Sequence, residues 1–513
     1  MTSRIRSRSF AALIAVSAVV PAVVLTRSSE TSEPTITAPR SGNTEAGTSV
    51  VWIVLDEAPL YALLKTDGNI NAERFPGFAE LAKNSTWYRN TLTTAQRTTE
   101  AVPAMLDGTW PTLRNYPVFA DHPINLFTLS EGHKKLDVYQ SITSLCPDNL
   151  CPNKIPDEER AADYQVSEFK DLTKRVSTST EATVHFSHML LPHRPWRLSA
   201  DFRLAKELGV DPRPSTVVDR RRDSYQALLR QFVATDALLK DFITTLKDSN
   251  NWNRTMVIVT TDHGMTFVPG ESFRDTVNPE NPDTLEDIYR VPLFIKYPNQ
   301  QTSVVSDCAL SSIDILPTVL EVAGIPHDET FDGVDVSARC PLRTSRRVQW
   351  PYTGVDLTTD FSAVVDRVQF YNTWVDANGS VDDVHRVGRS GVLIGTRTPT
   401  DEQVLAGVSW TNVDPDGFKN IGDSPMSYAP SRVSGRIVAT EPLCAQCEGL
   451  LVVDGEIVGS IPEIAGLKPS DKPAYFTTSV RTTNITSSSG PGELWIADWS
   501  SPTVTLRRVG PSR

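Results

Sequence analysis

What most constrains the fold of this chain is a pair of short apolar runs that each stop on acids. "SVVWIVLDE" closes on Asp56 and Glu57, and "TMVIVTTDHG" closes on Asp262 and His263. Both runs are the length of a strand rather than of a helix, and their unbroken apolar character is that of strands buried on both faces. Further runs of the same kind, "ATVHFSHMLL" and "VPLFIKYP", alternate with helical patterns. The stretch "SYQALLRQFVATDALLKDFITTLKDS" repeats apolar residues at helical spacing and feeds the strand that ends at Asp262, and "SSIDILPTVLEVAGI" reads as a second helix ending at Gly324. Strands separated by helices predict a mainly parallel α/β sheet. Such sheets bind ligands beyond the carboxyl ends of their strands, so Asp56, Asp262 and His263 are expected along one edge. Two carboxylates and an imidazole suit one divalent cation, Zn²⁺ or Mn²⁺ ahead of Mg²⁺ or Ca²⁺. For a lone Asp-His pair, a turn cap beside a satisfied histidine is the ordinary reading. Two strands that end alike lift the site above it.

Between these strands lies "TTAQRTTEAVPAMLDGTWP". Proline is tolerated in a first helical turn, so the helix is expected to start near Pro103, with Thr98 and Thr99 at or just before its N-terminus. Free N–H groups there favour a phosphate or sulfate. A threonine hydroxyl becomes a nucleophile when a base or metal activates it; the plain alternative is a threonine-rich cap.

The remaining features bound the class. A formal net charge of -12 excludes nonspecific binding to nucleic acid. Arg4, Arg6 and Arg8 precede the apolar segment "FAALIAVSAVVPAVVL", which marks export: residues 1–27 are read as a cleaved signal peptide or an uncleaved anchor, and residues 28–48 as a disordered linker. Either way the body of the protein lies outside the cytoplasm. The six cysteines fall into three couples, Cys146 with Cys151, Cys308 with Cys340 and Cys444 with Cys447, read as structural disulfides of an oxidising compartment. After about Cys340 the pattern turns to short alternating runs, so residues 341–513 are expected to form a smaller β-rich domain behind a domain at 49–340. Its tryptophans, Trp350, Trp374, Trp410, Trp495 and Trp499, suit core packing better than a carbohydrate face.

Six segments, "VLDE", "TTEAVPAMLDG", "LPHRPW", "TTDHG", "VPLFIKYP" and "DILPTVLEVAG", stand in the order and spacing of the sulfatase-like branch of the alkaline phosphatase superfamily, which residues 49–340 resemble. The resemblance implies an alkaline-phosphatase-like mainly parallel sheet flanked by helices. It also implies one divalent metal held by Asp56, Asp262 and His263 together with the nucleophile, with Glu57 as a further ligand or a group behind the ligands. Counting ten residues back from Gly108 and five back from Pro103 selects Thr98 as that nucleophile. "PHRP" resembles the sulfatase segment whose histidine contacts the bound oxyanion or protonates the leaving group, here His193. Thr98-Thr99-Glu100-Ala101-Val102 lacks both the oxidisable Cys or Ser and the Arg of the C/S-x-P-x-R motif that sulfatases mature to formylglycine.

The expected function is therefore an extracytoplasmic, metal-dependent phosphoester hydrolase or phosphotransferase acting on an envelope lipid or glycopolymer. A true sulfatase and a noncatalytic envelope scaffold are the alternatives. Arg290 and Arg274 are candidates to neutralise a substrate anion, with surface ion pairs as the plainer account of both. His188, five positions before His193, could face the same edge, although a satisfied core histidine is the ordinary reading.

Overall fold

The structure is a computed structural model and describes residues 47–511 apart from 113, 152–160, 209–216, 276–277, 279, 351–352, 402, 413–417 and 419–420. The export segment and most of the linker expected before Thr48 lie outside the described residues. Among the described residues no helix is long and apolar enough to cross a membrane.

The apolar runs form a seven-stranded sheet. Its strands are β1 (Ser49–Leu55), β2 (Thr86–Tyr88), β3 (Lys135–Tyr139), β4 (Thr183–Met189), β5 (Thr255–Thr261), β6 (Leu293–Lys296) and β7 (Val304–Ser306), in the order β3-β4-β1-β5-β6-β2-β7. The four strands from β3 to β5 run parallel, and β6 is antiparallel to both its neighbours. All residues of β1, β4 and β5 are buried, as their unbroken apolar sequences require. The register sets Leu55 beside both Met189 and Thr261, so Asp56 and Asp262 follow side by side off the ends of adjacent strands.

Helix α1 spans Thr98–Asp107, α2 spans Val217–Asp248, α3 spans Ile315–Ala323 and α4 spans Phe361–Asn372. The apolar stripe of α2 buries Leu228, Phe232 and Leu239 against Phe75, Phe78 and Val257; each such side chain contributes about 1.5–3 kcal/mol through the surface it removes from water. Helix α3 ends on Gly324 at φ 63°, a left-handed cap that glycine adopts without a Cβ penalty. Helix α1 starts five residues before the expected Pro103. The proline sits inside it, where its missing N–H leaves the Thr99 carbonyl without a helical donor.

The C-terminal region is built on a second, eight-stranded sheet. A strand pairing and a packed helix are among the connections that tie it to the first layer. Leu204–Leu208 pairs in parallel with Tyr428–Ala439 of that sheet, and α4 buries Phe361, Val364, Val368 and Tyr371 in the same core as α2. The three expected disulfides are formed. Trp410 and Trp495 are buried and Trp374 and Trp499 pack half-buried on apolar clusters, which is core use rather than an aromatic binding face.

Candidate functional site

Side chains alternate faces along a strand and paired residues of parallel strands share a face. His188 is paired with Val54, so His188, Asp56 and Asp262 all project to one side at the sheet's carboxyl edge. Their ligand atoms lie within 4.8 Å of one another, and all three residues are buried. This Asp-His-Asp group is the candidate cation site at the sheet edge.

Thr98 is the first residue of α1 and only 6% exposed. Its hydroxyl donates to Asp262 Oδ2 at 2.7 Å. Thr99, which also borders the cleft, bonds Glu100 at 2.7 Å instead, so the two threonines differ in partner. The N-cap position, Arg97, supplies no side-chain cap, and the first N–H groups of α1 have no acceptor within the helix. The other oxygen of Asp262 accepts the backbone N–H groups of His263 at 2.7 Å and Glu57 at 3.2 Å. Burial works against its charge, but His263, His188, the Thr98 hydroxyl and Arg274 outweigh it and hold Asp262 below the usual carboxylate range.

Glu57, expected as a further ligand or as a group behind the ligands, is not one of this group. Its φ of 58° is a left-handed turn that an L-residue enters at a cost, and the turn sends the carboxylate away from Asp56. There it meets Arg274 at 3.2 Å, Arg194 at 3.3 Å and His193 Nε2 at 3.6 Å. Although burial opposes ionisation, Arg274, His193 and Arg194 keep Glu57 below its ordinary value. One buried carboxylate thus organises three cationic or proton-bearing side chains.

His263 donates from Nδ1 to the Gly264 carbonyl at 2.9 Å, and its Nε2 meets Arg274 Nη1 at 2.5 Å. Burial, reinforced by Arg274, pushes its pKa down to about 4, so the ring is neutral. The glycine of "TTDHG" has its own reason. A Cβ at Gly264 would lie 2.3 Å from the Asp287 carbonyl oxygen, so only glycine allows the chain to pass this close.

Above these groups is a cleft of about 280 Å³. Asp56, Thr98, His193 and Arg274 line it, Arg97, Arg194 and Arg197 add positive charge, and Ile142, Leu190 and Leu191 supply an apolar wall. Arg290 is not there. It is 0% exposed and its guanidinium bonds Glu286, Asn90 and Thr359, so the substrate-binding role expected of it gives way to a buried structural one. Arg274, the other arginine expected to neutralise a substrate anion, lines the cleft, and so does Arg194. Arg274 lies eleven residues beyond His263 in a segment with no periodic pattern, and Arg194 was visible only as the variable residue of "PHRP".

The sulfatase family model matches residues 49–325, more than half of the chain, and the chain belongs to that family. Among curated relatives, it is similar to arylsulfatase K of Danio rerio, 30% identical over 99 residues covering 19% of this chain and 18% of the relative. It is also similar to an ulvan-active sulfatase of Formosa agariphila, 26% identical over 183 residues covering 35% of this chain and 34% of the relative. The chain thus spans between about a fifth and a third of these relatives' lengths. Solved structures similar in fold include the lipoteichoic acid synthase LtaP from Listeria monocytogenes, with TM-score 0.44, 16% identity and coverage of 66% of this chain and 93% of that one. A phosphonate monoester hydrolase from Silicibacter pomeroyi has TM-score 0.42, 15% identity and coverage of 59% and 79%.

Proposed function

We propose that this sulfatase-family chain is an extracytoplasmic, metal-dependent phosphoester hydrolase or phosphotransferase with Thr98 as its nucleophile. The observation that carries the reading is the Thr98 hydroxyl, 2.7 Å from Asp262 Oδ2, at a helix start beneath a cleft lined by arginines. Asp56 and Asp262 would hold the cation, with an imidazole beside them. Two buried carboxylates and a histidine nitrogen within 4.8 Å of one another repel unless a proton or a cation stands among them, so these residues fit a divalent ion. Such an ion would supply a lowered pKa for the hydroxyl and positive charge toward a phosphoryl oxygen.

The chain's own residues do the rest. Thr98 directs its proton at Asp262 Oδ2, which takes it as the hydroxyl reacts, and presents a lone pair to the cleft. Its Oγ1 attacks phosphorus in line; the Thr98 O–P bond forms as the bond to the leaving oxygen breaks. The helix N–H groups and Arg274 face the equatorial oxygens. His193, whose Nε2 lies 3.6 Å from Glu57 Oε2, gives its Nε2 proton to the departing oxygen. Water then releases Thr98 in a hydrolase, and a sugar or lipid hydroxyl does so in a transferase. The arginines at 97, 194 and 197 suit an anionic polymer or head group, and the arginine-led apolar N-terminus supports a substrate in the envelope.

Sulfate-ester hydrolysis is the second reading, favoured by the family and by relatives named for sulfatases. Threonine at position 98 opposes it, because threonine cannot be oxidised to formylglycine. The test is turnover of bis(4-nitrophenyl) phosphate and 4-nitrophenyl sulfate with added Zn²⁺ or Mn²⁺, for the wild type and Thr98→Ala. Phosphodiester cleavage that falls about 10³-fold or more with Thr98 is expected. Sulfate turnover alone, or phosphodiester turnover indifferent to Thr98→Ala, sinks the proposal.

A further inference from the structure

The segment "LPHRPWRL" brings His193, Arg194 and Arg197 to the cleft. Pro192 and Pro195 have no N–H, so this stretch cannot join a ladder along its whole length, and its main-chain groups need partners from elsewhere. Gln231 of α2 supplies them. Its Nε2 donates to the carbonyls of Pro192 at 3.0 Å and His193 at 2.8 Å. Its Oε1 accepts the N–H groups of Arg197 at 2.7 Å and Leu198 at 3.1 Å. A carboxamide offers two protons and two lone pairs, and all four are used on this one segment. Gln231 is 1% exposed, in the same helix as buried Leu228 and Phe232. An apolar residue would fit there without the cost of burying an amide; the segment it ties accounts for the amide.

The ring of His193 has a weaker hold of its own. Its Nδ1 meets the carbonyl of Arg194, inside the same segment, and its Nε2 lies 3.6 Å from Glu57 Oε2, beyond hydrogen-bond range. Where the ring points therefore follows from where the segment is held. We infer that Gln231 is a positioning residue of the reaction: it fixes the loop from Pro192 to Leu198 so that His193 Nε2 meets the leaving oxygen. The inference rests on the reading of His193 as the proton donor to that oxygen. A general acid contributes about 10²–10⁴-fold, and misplacing a reacting group by about 1 Å can cost about 10²-fold. That loss is felt where the leaving oxygen needs a proton. A phenyl ester needs one, whereas 4-nitrophenolate leaves as a stable anion. General weakening of the fold would slow both esters alike.

The experiment uses the full chain with added Zn²⁺ or Mn²⁺ and two substrates, methyl phenyl phosphate and methyl 4-nitrophenyl phosphate. Turnover is measured for the wild type, His193→Ala, Gln231→Met and the double variant; Gln231→Met keeps the reach of the side chain and removes all four bonds. The expected loss in kcat for Gln231→Met is about 10²-fold on the phenyl ester, at least about tenfold more than on the nitrophenyl ester. His193→Ala should show the same selectivity. The double variant should fall within about twofold of His193→Ala on the phenyl ester, because the two residues act through one group. Gln231→Asn, one methylene shorter but still polar, should show the same selective loss and decides the matter where Gln231→Met fails to fold. Equal losses on the two esters, or losses that multiply in the double variant, overturn the positioning role and leave the phosphoester reading in place. Unselective loss in His193→Ala overturns His193 as the donor, and this inference with it. A wild type that turns over neither ester overturns the phosphoester reading itself.

Discussion

The central sheet and the C-terminal sheet both carry acids at strand ends, yet only one of them gathers chemistry. Parallel strands β4, β1 and β5 deliver their carboxyl ends to a single edge, so His188, Asp56 and Asp262 meet although 132 and 206 residues separate the first and last of them from Asp56. In the C-terminal sheet most neighbours are antiparallel, and alternate ends point apart. Among the described residues its one comparable grouping, Asp498 with Cys444 and Cys447, has its two sulfurs joined in a disulfide. Strand direction, more than composition, decides where a site can form.

The sharpest way to break that comparison is to change one acid in each sheet. Asp262→Asn removes the charge that accepts the Thr98 hydroxyl and half of the carboxylate pair, and phosphodiester turnover should drop about 10³–10⁴-fold. Asp498→Asn should leave turnover within about twofold of wild type, because the Asp498 carboxylate meets Ser500, Arg507 and Cys444 and does not line the cleft. Equal losses in parallel steady-state assays would show that the C-terminal sheet belongs to the site.

A second change probes how the two regions are joined. Arg367 of α4 clasps buried Asp287 through two bonds of 2.8 and 3.0 Å, and Tyr371 and Thr266 complete the carboxylate's set. Breaking such a pair from one side strands a buried charge, so Arg367→Ala should cost about 3–5 kcal/mol in a denaturant titration. A loss below about 1 kcal/mol would mean that α4 is only loosely attached to the first core.

Much of this was legible in the sequence, for identifiable reasons. Unbroken apolar runs gave away β1 and β5, and the acids that end them gave away the edge. Counting from Gly108 and Pro103 singles out Thr98, whose hydroxyl bonds Asp262, although the start of α1 was misplaced because Pro103 is accommodated inside the helix. What sequence hid was side-chain direction. His188 sits within an apolar run and reads as core until the register shows which face it shares with Asp56. Glu57 reads as a ligand until its left-handed backbone turns it to the arginines. Arg290 reads as an exposed cation until Glu286, one helical turn earlier, is seen to bury it.

The central region also predicts a pH dependence of its own. Asp236 of α2 caps the helix Pro76–Ala82 through the N–H groups of Gly77 and Phe78, both at 2.8 Å, and burial raises its pKa to about 7. The folded chain therefore holds a proton here between about pH 4 and pH 7 that the unfolded chain releases. Raising pH through that window favours unfolding, by at most about 1.4 kcal/mol per pH unit. Stability measured at pH 5 should exceed that at pH 7 by more in the wild type than in Asp236→Asn; identical slopes would rule Asp236 out as the source.

The smallest effect separates two disulfides, one for each region. Chain entropy grows with the loop a disulfide closes. Cys308–Cys340 spans 32 positions at the end of the first region, and Cys444–Cys447 spans 3 within the second. Replacing each pair with serine should cost about 4 and about 2 kcal/mol respectively, read from denaturation midpoints under oxidising conditions. The shorter loop should cost less without touching turnover, since Cys444 and Cys447 lie in the C-terminal sheet and do not line the cleft. If the short disulfide proves the costlier of the two, or if its removal slows phosphodiester cleavage, then the C-terminal sheet contributes more than packing.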